Sequence, residues 1–392
     1  MNTALDLSTA AAAAGNPPPA TVLQVLPALV GGGVERGTLE IANGLIAAGW
    51  RAVVASAGGP MVPVLEHAGA VHVTLPLDRK DPFAIRRNVG RLRDVIAEHR
   101  VDLVHARSRA PAWSAYWAAG AAHVPFVTTY HSPYGDRWWK RGYNGVMARG
   151  VRVIAISEYL AGEVRHRHKL PPERLVTIPR GVDLASFNPG AVGGQRIAKL
   201  AQQWRLPDDA GVVMLPGRLT RWKGQEVLLR AAAQLNRADV VVVLVGGEHG
   251  DGGYRDELEA LAEKLGIAAR LRLVGDCRDM PAALMLADVV VSASTEPEGF
   301  GRVMAEALAM GRPVVASDHG GAREIVGAEA GWLVPPGDAA SLAEALDAAL
   351  GLDDDTRRQL AQVARARVER QFSLAAMQAA TLDVYRDVLR RQ

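Results

Sequence analysis

A single cysteine, Cys277, stands in 392 residues. That excludes an internal disulfide and a cysteine-held metal cluster, and it points to a reducing compartment. No stretch approaches the roughly 18 uncharged apolar residues of a membrane span; the run VVVVLVGG from Val240 to Gly247 has the length of a strand. The opening MNTALDLSTAAAAAGNPPPA lacks the basic start of a signal peptide, carries Asp6 and ends in a helix-breaking PPP. Residues 1–20 therefore read as a disordered tail. Also missing are an H-E-x-x-H helix, a serine-nucleophile elbow, a Cys/His zinc spacing and any short-period repeat. The one D-x-D pattern, Asp353 to Asp355, precedes a helix and reads as capping chemistry.

What is present is an ordinary soluble profile, 49% hydrophobic and 22% charged, in a chain long enough for two to three domains. Net charge is +3 but unevenly placed. Residues 21–190 hold 21 Lys+Arg against 13 Asp+Glu, while residues 191–392 hold 24 against 28. A basic first half meets an anionic partner, or it simply solvates its helix faces. Apolar β-rich runs alternate with amphipathic segments: TVLQVL, AVVAS, DLVHA, FVTTY and VIAIS in the first half, then VVMLP, VVVVLV, LRLVG, VVVSAS and PVVAS. Runs that are apolar throughout predict parallel strands covered on both faces. The expected fold is α/β, two doubly wound Rossmann-like parallel-sheet domains facing a cleft. The Gly/Pro-rich stretch Ser186 to Gln195 marks the break. The domains are then 21–190 and 191–372, with a C-terminal helix over 373–392 crossing back to the first.

Several strand ends carry candidate chemistry. GGGVERG, Gly31 to Gly37, follows the first strand, but Arg36 occupies the place of the last dinucleotide-fingerprint glycine. A nicotinamide or flavin site is disfavoured; a loop approached by an anion or sugar and a plain tight turn both remain. GRLTRWKG, Gly217 to Gly224, has Trp222 where a phosphate-binding loop needs glycine. It leaves Arg218 and Lys223 either to clamp a diphosphate or to lie as surface charges. LVGDCRDMP offers backbone groups from Asp276 to Met280 to a base edge. In EPEGFGRVMAE, Glu298 suits a helix start, whereas Glu306 sits in an apolar run where a carboxylate needs a partner such as a ribose. His131 ends the strand FVTTY, and Trp138, Trp139, Lys140 and Arg141 follow. That cluster would rest on a membrane interface, grip a phosphorylated saccharide or pack a helix.

In their order and spacing these segments, with TTYHS and IPRGVD, resemble the retaining group 1 (family 4) glycosyltransferases of GT-B architecture. The resemblance implies that Glu298 holds donor-sugar hydroxyls and Glu306 the nucleotide ribose. It places Arg218 and Lys223 on the diphosphate, helped by amides at Phe300 and Gly301, with Gly299 also on the donor side. Gly217, Asp276 and Met280 complete the donor side, His131 lies near the reacting sugar, and Gly33 faces donor and acceptor. HARSRAPAWSAYWAA with TTYHSPYG looks like enzymes of the lipopolysaccharide core or related envelope glycans, with Arg107, Arg109 and Tyr134 toward the acceptor. Arg180 in IPRGVD departs from the family's usual Asn. The implied partners are a UDP- or GDP-sugar and a phosphorylated glycan or glycolipid acceptor, with no cofactor, metal or nucleic acid. The implied location is cytoplasmic, with peripheral contact to the inner membrane. A sugar-nucleotide 2-epimerase of similar fold and a non-catalytic binder are the alternatives.

Overall fold

A computed structural model describes residues 19–134, 142–248 and 252–391. Most of the expected tail, and Trp138, Trp139, Lys140 and Arg141, lie outside those residues. The strands are β1 (Thr21–Val25), β2 (Arg51–Ser56), β3 (Val71–Thr74), β4 (Leu103–Ala106), β5 (Phe126–Tyr130), β6 (Arg152–Ala155) and β7 (Leu175–Thr177). They continue with β8 (Gly211–Pro216), β9 (Val240–Val245), β10 (Leu271–Gly275), β11 (Val289–Ser292), β12 (Val314–Ser317) and β13 (Gly331–Val334). Valine-rich runs form them because branched side chains pack well on a pleat buried on both faces. All six residues of β9 are buried.

Two parallel sheets result, ordered β3-β2-β1-β4-β5-β6-β7 and β10-β9-β8-β11-β12-β13. Both have the doubly wound arrangement, in which strand order reverses about a central pair: β1 beside β4, and β8 beside β11. At that reversal the loops leaving the two carboxyl ends diverge and open a crevice. Sequence patterning locates ten of these strands and misses β3, β7 and β13. All three are short, and each lies at a sheet edge. Facing only one neighbour and partly open to water, they lack the continuous apolar run of a central strand.

The chain divides into two compact units: residues 1–129, 138–153 and 378–392, and residues 130–137 and 154–377. The C-terminal helix Leu374–Arg390 sends its residues from Gln378 onward into the first unit. There Gln378 Nε2 donates to the Glu40 carbonyl at 2.7 Å, and Arg152 pairs with Asp387 at 2.5 Å. At its centre the fully buried His105 ring bonds Tyr385 Oη through Nδ1 at 2.6 Å and Thr129 Oγ1 through Nε2 at 2.7 Å. Burial, and then Arg107, hold the His105 pKa well below the usual histidine range. The imidazole stays neutral in the fold, so its contribution is complete above the unfolded value of about 6.5 and drains away as pH falls below it. Tyr385→Phe strands a buried ring nitrogen and is expected to cost about 1–3 kcal/mol. A urea titration should show the midpoint falling with an unchanged slope.

Candidate active site

The loop after β8 closes on Gly224, whose φ of +72° and whose position permit no side chain: a Cβ would lie 1.8 Å from the Ala293 carbonyl oxygen. That close approach sets the loops of β8 and β11 against each other, and Thr295 N donates to the Trp222 carbonyl at 2.7 Å. Lys223 Nζ then meets Glu298 Oε1 at 2.8 Å, with the side chains 17% and 14% exposed. The Trp222 ring lies 4.5 Å from the same ammonium, a cation–π contact that steadies it on a second side. Gln225 Nε2 donates to the Arg218 carbonyl at 2.9 Å and shapes the loop, while the Arg218 side chain is exposed.

Burial alone would raise the Glu298 carboxyl. The Lys223 charge and hydrogen bonds from Lys223, Ser294 and Ser292 outweigh it and hold the group below the ordinary glutamate value. Neither serine stands out in the sequence, although VVVSAS puts both at the strand end, two apart and on one face. Ser294→Ala removes one charge-assisted donor and is expected to weaken donor binding about tenfold, the equivalent of roughly 1.5 kcal/mol. Donor KM in a steady-state assay is the readout, and Ser294→Thr should restore it.

The turn after Glu298 is fixed from several sides within the second unit. Gly299 packs so closely on His131 that a Cβ would be 2.5 Å from its carbonyl oxygen. Ser157 Oγ donates to the Gly299 carbonyl at 2.6 Å, Gly321 N donates to the Glu298 carbonyl at 3.0 Å, and His319 Nε2 bonds the Ser294 carbonyl at 2.9 Å. Phe300 is buried edge-on against Phe372. Gly301 then begins the helix Arg302–Ala309, whose start has no side-chain cap among the described residues. Its first N–H groups and the positive end of the helix dipole suit an anion.

Glu306 is 4% exposed on that helix, where Arg302 lies 3.4 Å away, one turn earlier. The structure thus supplies part of the compensation that the sequence reading left to a ribose. Asp276 accepts from Gly247 N at 2.7 Å, so its side chain shapes a loop. Met280 opens the helix Met280–Leu286, capped by Asp279, which Arg196 grips at 2.6 Å. Tyr134 is buried against Tyr130, and its carbonyl accepts from Arg167.

Gly33, Arg107 and Arg109 belong to the first unit. Gly33 starts the helix Gly33–Ala47. Arg109 donates to Asn144 Oδ1 at 3.0 Å. Arg107 is only 3% exposed, near Tyr385 and Glu40. Its expected acceptor contact therefore falls on a side chain enclosed by the fold. Arg180, the departure in IPRGVD, is buried as well. In the same loop Val182 N donates to the Phe372 carbonyl at 2.7 Å.

A reversal point that presents a cation, a carboxylate and an uncapped helix start suits a phosphorylated, hydroxyl-bearing ligand. Two doubly wound sheets with such a crevice define the GT-B class. Comparison with known proteins is specific. Residues 31–186 match the family described as "Glycosyltransferase Family 4", and residues 197–367 match "Glycosyl transferases group 1". The chain is 31% identical to a D-inositol 3-phosphate glycosyltransferase of Xylanimonas cellulosilytica, covering 92% of this chain and 93% of that protein. A glycosyltransferase structure from Rickettsia africae superposes with a TM-score of 0.88 at 32% identity, over 96% of this chain and 100% of the other. Anabaena HepE in complex with UDP-glucose gives 0.82 at 26% identity, over 93% and 99%. The chain belongs to the group 1, family 4 glycosyltransferases and is an enzyme of that class.

Proposed function

We propose that the enzyme transfers a hexosyl group from a uridine diphosphate sugar to a hydroxyl of a phosphorylated cyclic polyol or saccharide, with retention of anomeric configuration. The observation that carries this reading is the Lys223–Glu298 pair, 2.8 Å apart beside the uncapped start of the helix Arg302–Ala309. Similarity to HepE, solved with UDP-glucose, supports the donor. The D-inositol 3-phosphate glycosyltransferases support a phosphorylated polyol acceptor in place of the lipopolysaccharide core suggested by the sequence.

In the reaction the bond from the anomeric carbon to the β-phosphate oxygen breaks and its electron pair stays on the diphosphate. Lys223, Arg218 and the amides at Phe300 and Gly301 stabilise that growing charge, so the proposal requires no metal or cofactor. Glu298 orients sugar hydroxyls once the diphosphate competes for Lys223. The acceptor oxygen bonds to the anomeric carbon on the departing face, and its proton passes to the leaving diphosphate. No protein base is assigned. His131, whose carbonyl packs on Gly299, borders the sugar subsite.

Thermal-shift measurements with UDP, GDP, ADP and TDP test the donor, because a ligand bound to the fold raises its melting temperature by mass action. UDP should give the largest rise; equal rises from all four would remove the uridine assignment. Glu306→Ala is expected to weaken UDP binding roughly tenfold or more, as for loss of hydrogen bonds to a charged group. Calorimetry showing unchanged affinity would take the ribose role from Glu306.

A further inference from the structure

Strands β11 and β12 lie side by side, with Ser292 opposite Ala316. The loops leaving their carboxyl ends are therefore neighbours. Each carries a polar residue just beyond its strand, Ser294 after β11 and His319 after β12. The His319 ring reaches across and bonds the Ser294 carbonyl through Nε2 at 2.9 Å. A carbonyl only accepts, so Nε2 carries the hydrogen. In the neutral ring Nδ1 is then a bare acceptor, and among the described residues it is buried with no hydrogen-bond partner. An apolar side chain would serve packing better, because a buried acceptor without a partner costs free energy. The reason for an imidazole lies at Nε2.

That bond falls at the junction of the donor site. The Ser294 hydroxyl donates to Glu298 Oε1. The next residue, Thr295, donates from N to the Trp222 carbonyl at 2.7 Å, and the Trp222 ring lies 4.5 Å from the Lys223 ammonium. Ser294 is 2% exposed, so water does not readily replace the imidazole at its carbonyl. The loop that carries His319 is itself pinned. Asp318 N donates to the Val334 carbonyl at 2.7 Å, and the Asp318 carboxylate pairs with Arg323 at 2.6 Å. Gly320, at φ +58°, lets the loop press on Glu298, where a Cβ would stand 2.5 Å from the carbonyl oxygen. One loop thus grips the segment from Ser294 to Glu298 at both ends.

We propose that His319 is a positioning residue of the transfer reaction: its Nε2–H fixes the Ser294 carbonyl, and through the Ser294 hydroxyl it sets Glu298 against the donor sugar. It acts through Ser294, and no bond-making step is assigned to it. A site carboxylate displaced by even a small distance loses much of its effect. The inference rests on the donor site proposed above.

Transfer from UDP-glucose to inositol 3-phosphate, with UDP affinity measured by calorimetry alongside, tests it. His319→Leu is expected to lower kcat/KM for the donor roughly tenfold to a hundredfold, the range for a misplaced site group. UDP affinity should stay at the wild-type value, because UDP carries no sugar hydroxyls for Glu298 to hold. His319→Gln should recover most of the loss, since its amide nitrogen is as many bonds from Cα as Nε2 is. His319→Asn, whose nitrogen is a bond nearer, should not. If the Leu variant melts below the assay temperature, the contrast between Gln and Asn decides alone. A Gln variant no better than Asn overturns the proposal. So does UDP affinity that falls in step with kcat/KM, which would make His319 a prop of the whole unit. A wild type inactive on UDP-glucose overturns the donor reading and this inference with it. An active wild type matched by the Leu and Asn variants overturns the inference alone.

Discussion

Lys223→Ala is expected to reduce kcat by a hundredfold or more at saturating donor. Its ammonium is partly buried, with the side chain 17% exposed, and is held between Glu298 and the Trp222 ring. A charge fixed before the reaction stabilises a leaving diphosphate without reorganising as the bond breaks, and removing one such donor elsewhere costs about 3–4 kcal/mol. The loss should fall mainly on kcat, since charge on the β-phosphate rises in the transition state. Lys223→Arg should not restore it, because a planar guanidinium does not fit the point-charge position between carboxylate and indole. Near-normal turnover in the alanine variant would show that the diphosphate is bound elsewhere. Arg218, exposed on the same loop, then becomes the principal clamp.

Glu298→Gln is expected to lower kcat/KM about a hundredfold and to change its pH dependence. The substitution keeps the shape and removes the charge, so both the hold on sugar hydroxyls and the orientation of Lys223 weaken. In the wild type the carboxyl is held below its ordinary value, because Lys223 and two serines outweigh burial. A carboxylate with a depressed folded pKa stays ionised down through the usual range of about 4.3 and protonates only below it. The pair's stability contribution is accordingly present above the unfolded value and lost as pH falls through the lower folded one. The wild type should show an acid limb in that low window, and the Gln variant should lack that limb. An identical limb in both enzymes would assign it to another group.

Much of this site is written in strand ends. VVMLP and the three valines that open VVVSAS are apolar because β8 and β11 are buried, and the polar residues that follow each run mark where the crevice begins. Glu298, Lys223 and the helix start at Gly301 were therefore visible as candidates before any contact was known. Their pairing was not. A Lys–Glu contact between residues 75 positions apart depends on β8 lying beside β11, and on Gly224 letting one loop press on the Ala293 carbonyl. Ser292, Ser294 and Trp222 stayed hidden for the same reason: hydroxyls at a strand end and a loop indole acquire meaning only from the charges they touch. Glu306 looked as if it needed a ligand because its neighbours in sequence are apolar, yet Arg302 one turn away shares the burden. Arg107, which the resemblance places toward the acceptor, is only 3% exposed. Edge strands were lost where a short run has only one neighbour to cover it.

The central claim, retaining sugar transfer at the Lys223–Glu298 crevice, is tested most directly by proton NMR of the product formed from UDP-α-glucose and inositol 3-phosphate. The account predicts an α-linked glycoside, released with one equivalent of UDP, from the wild type and only trace amounts from Lys223→Ala. A β-linked product, or equal yields from both enzymes, would contradict it.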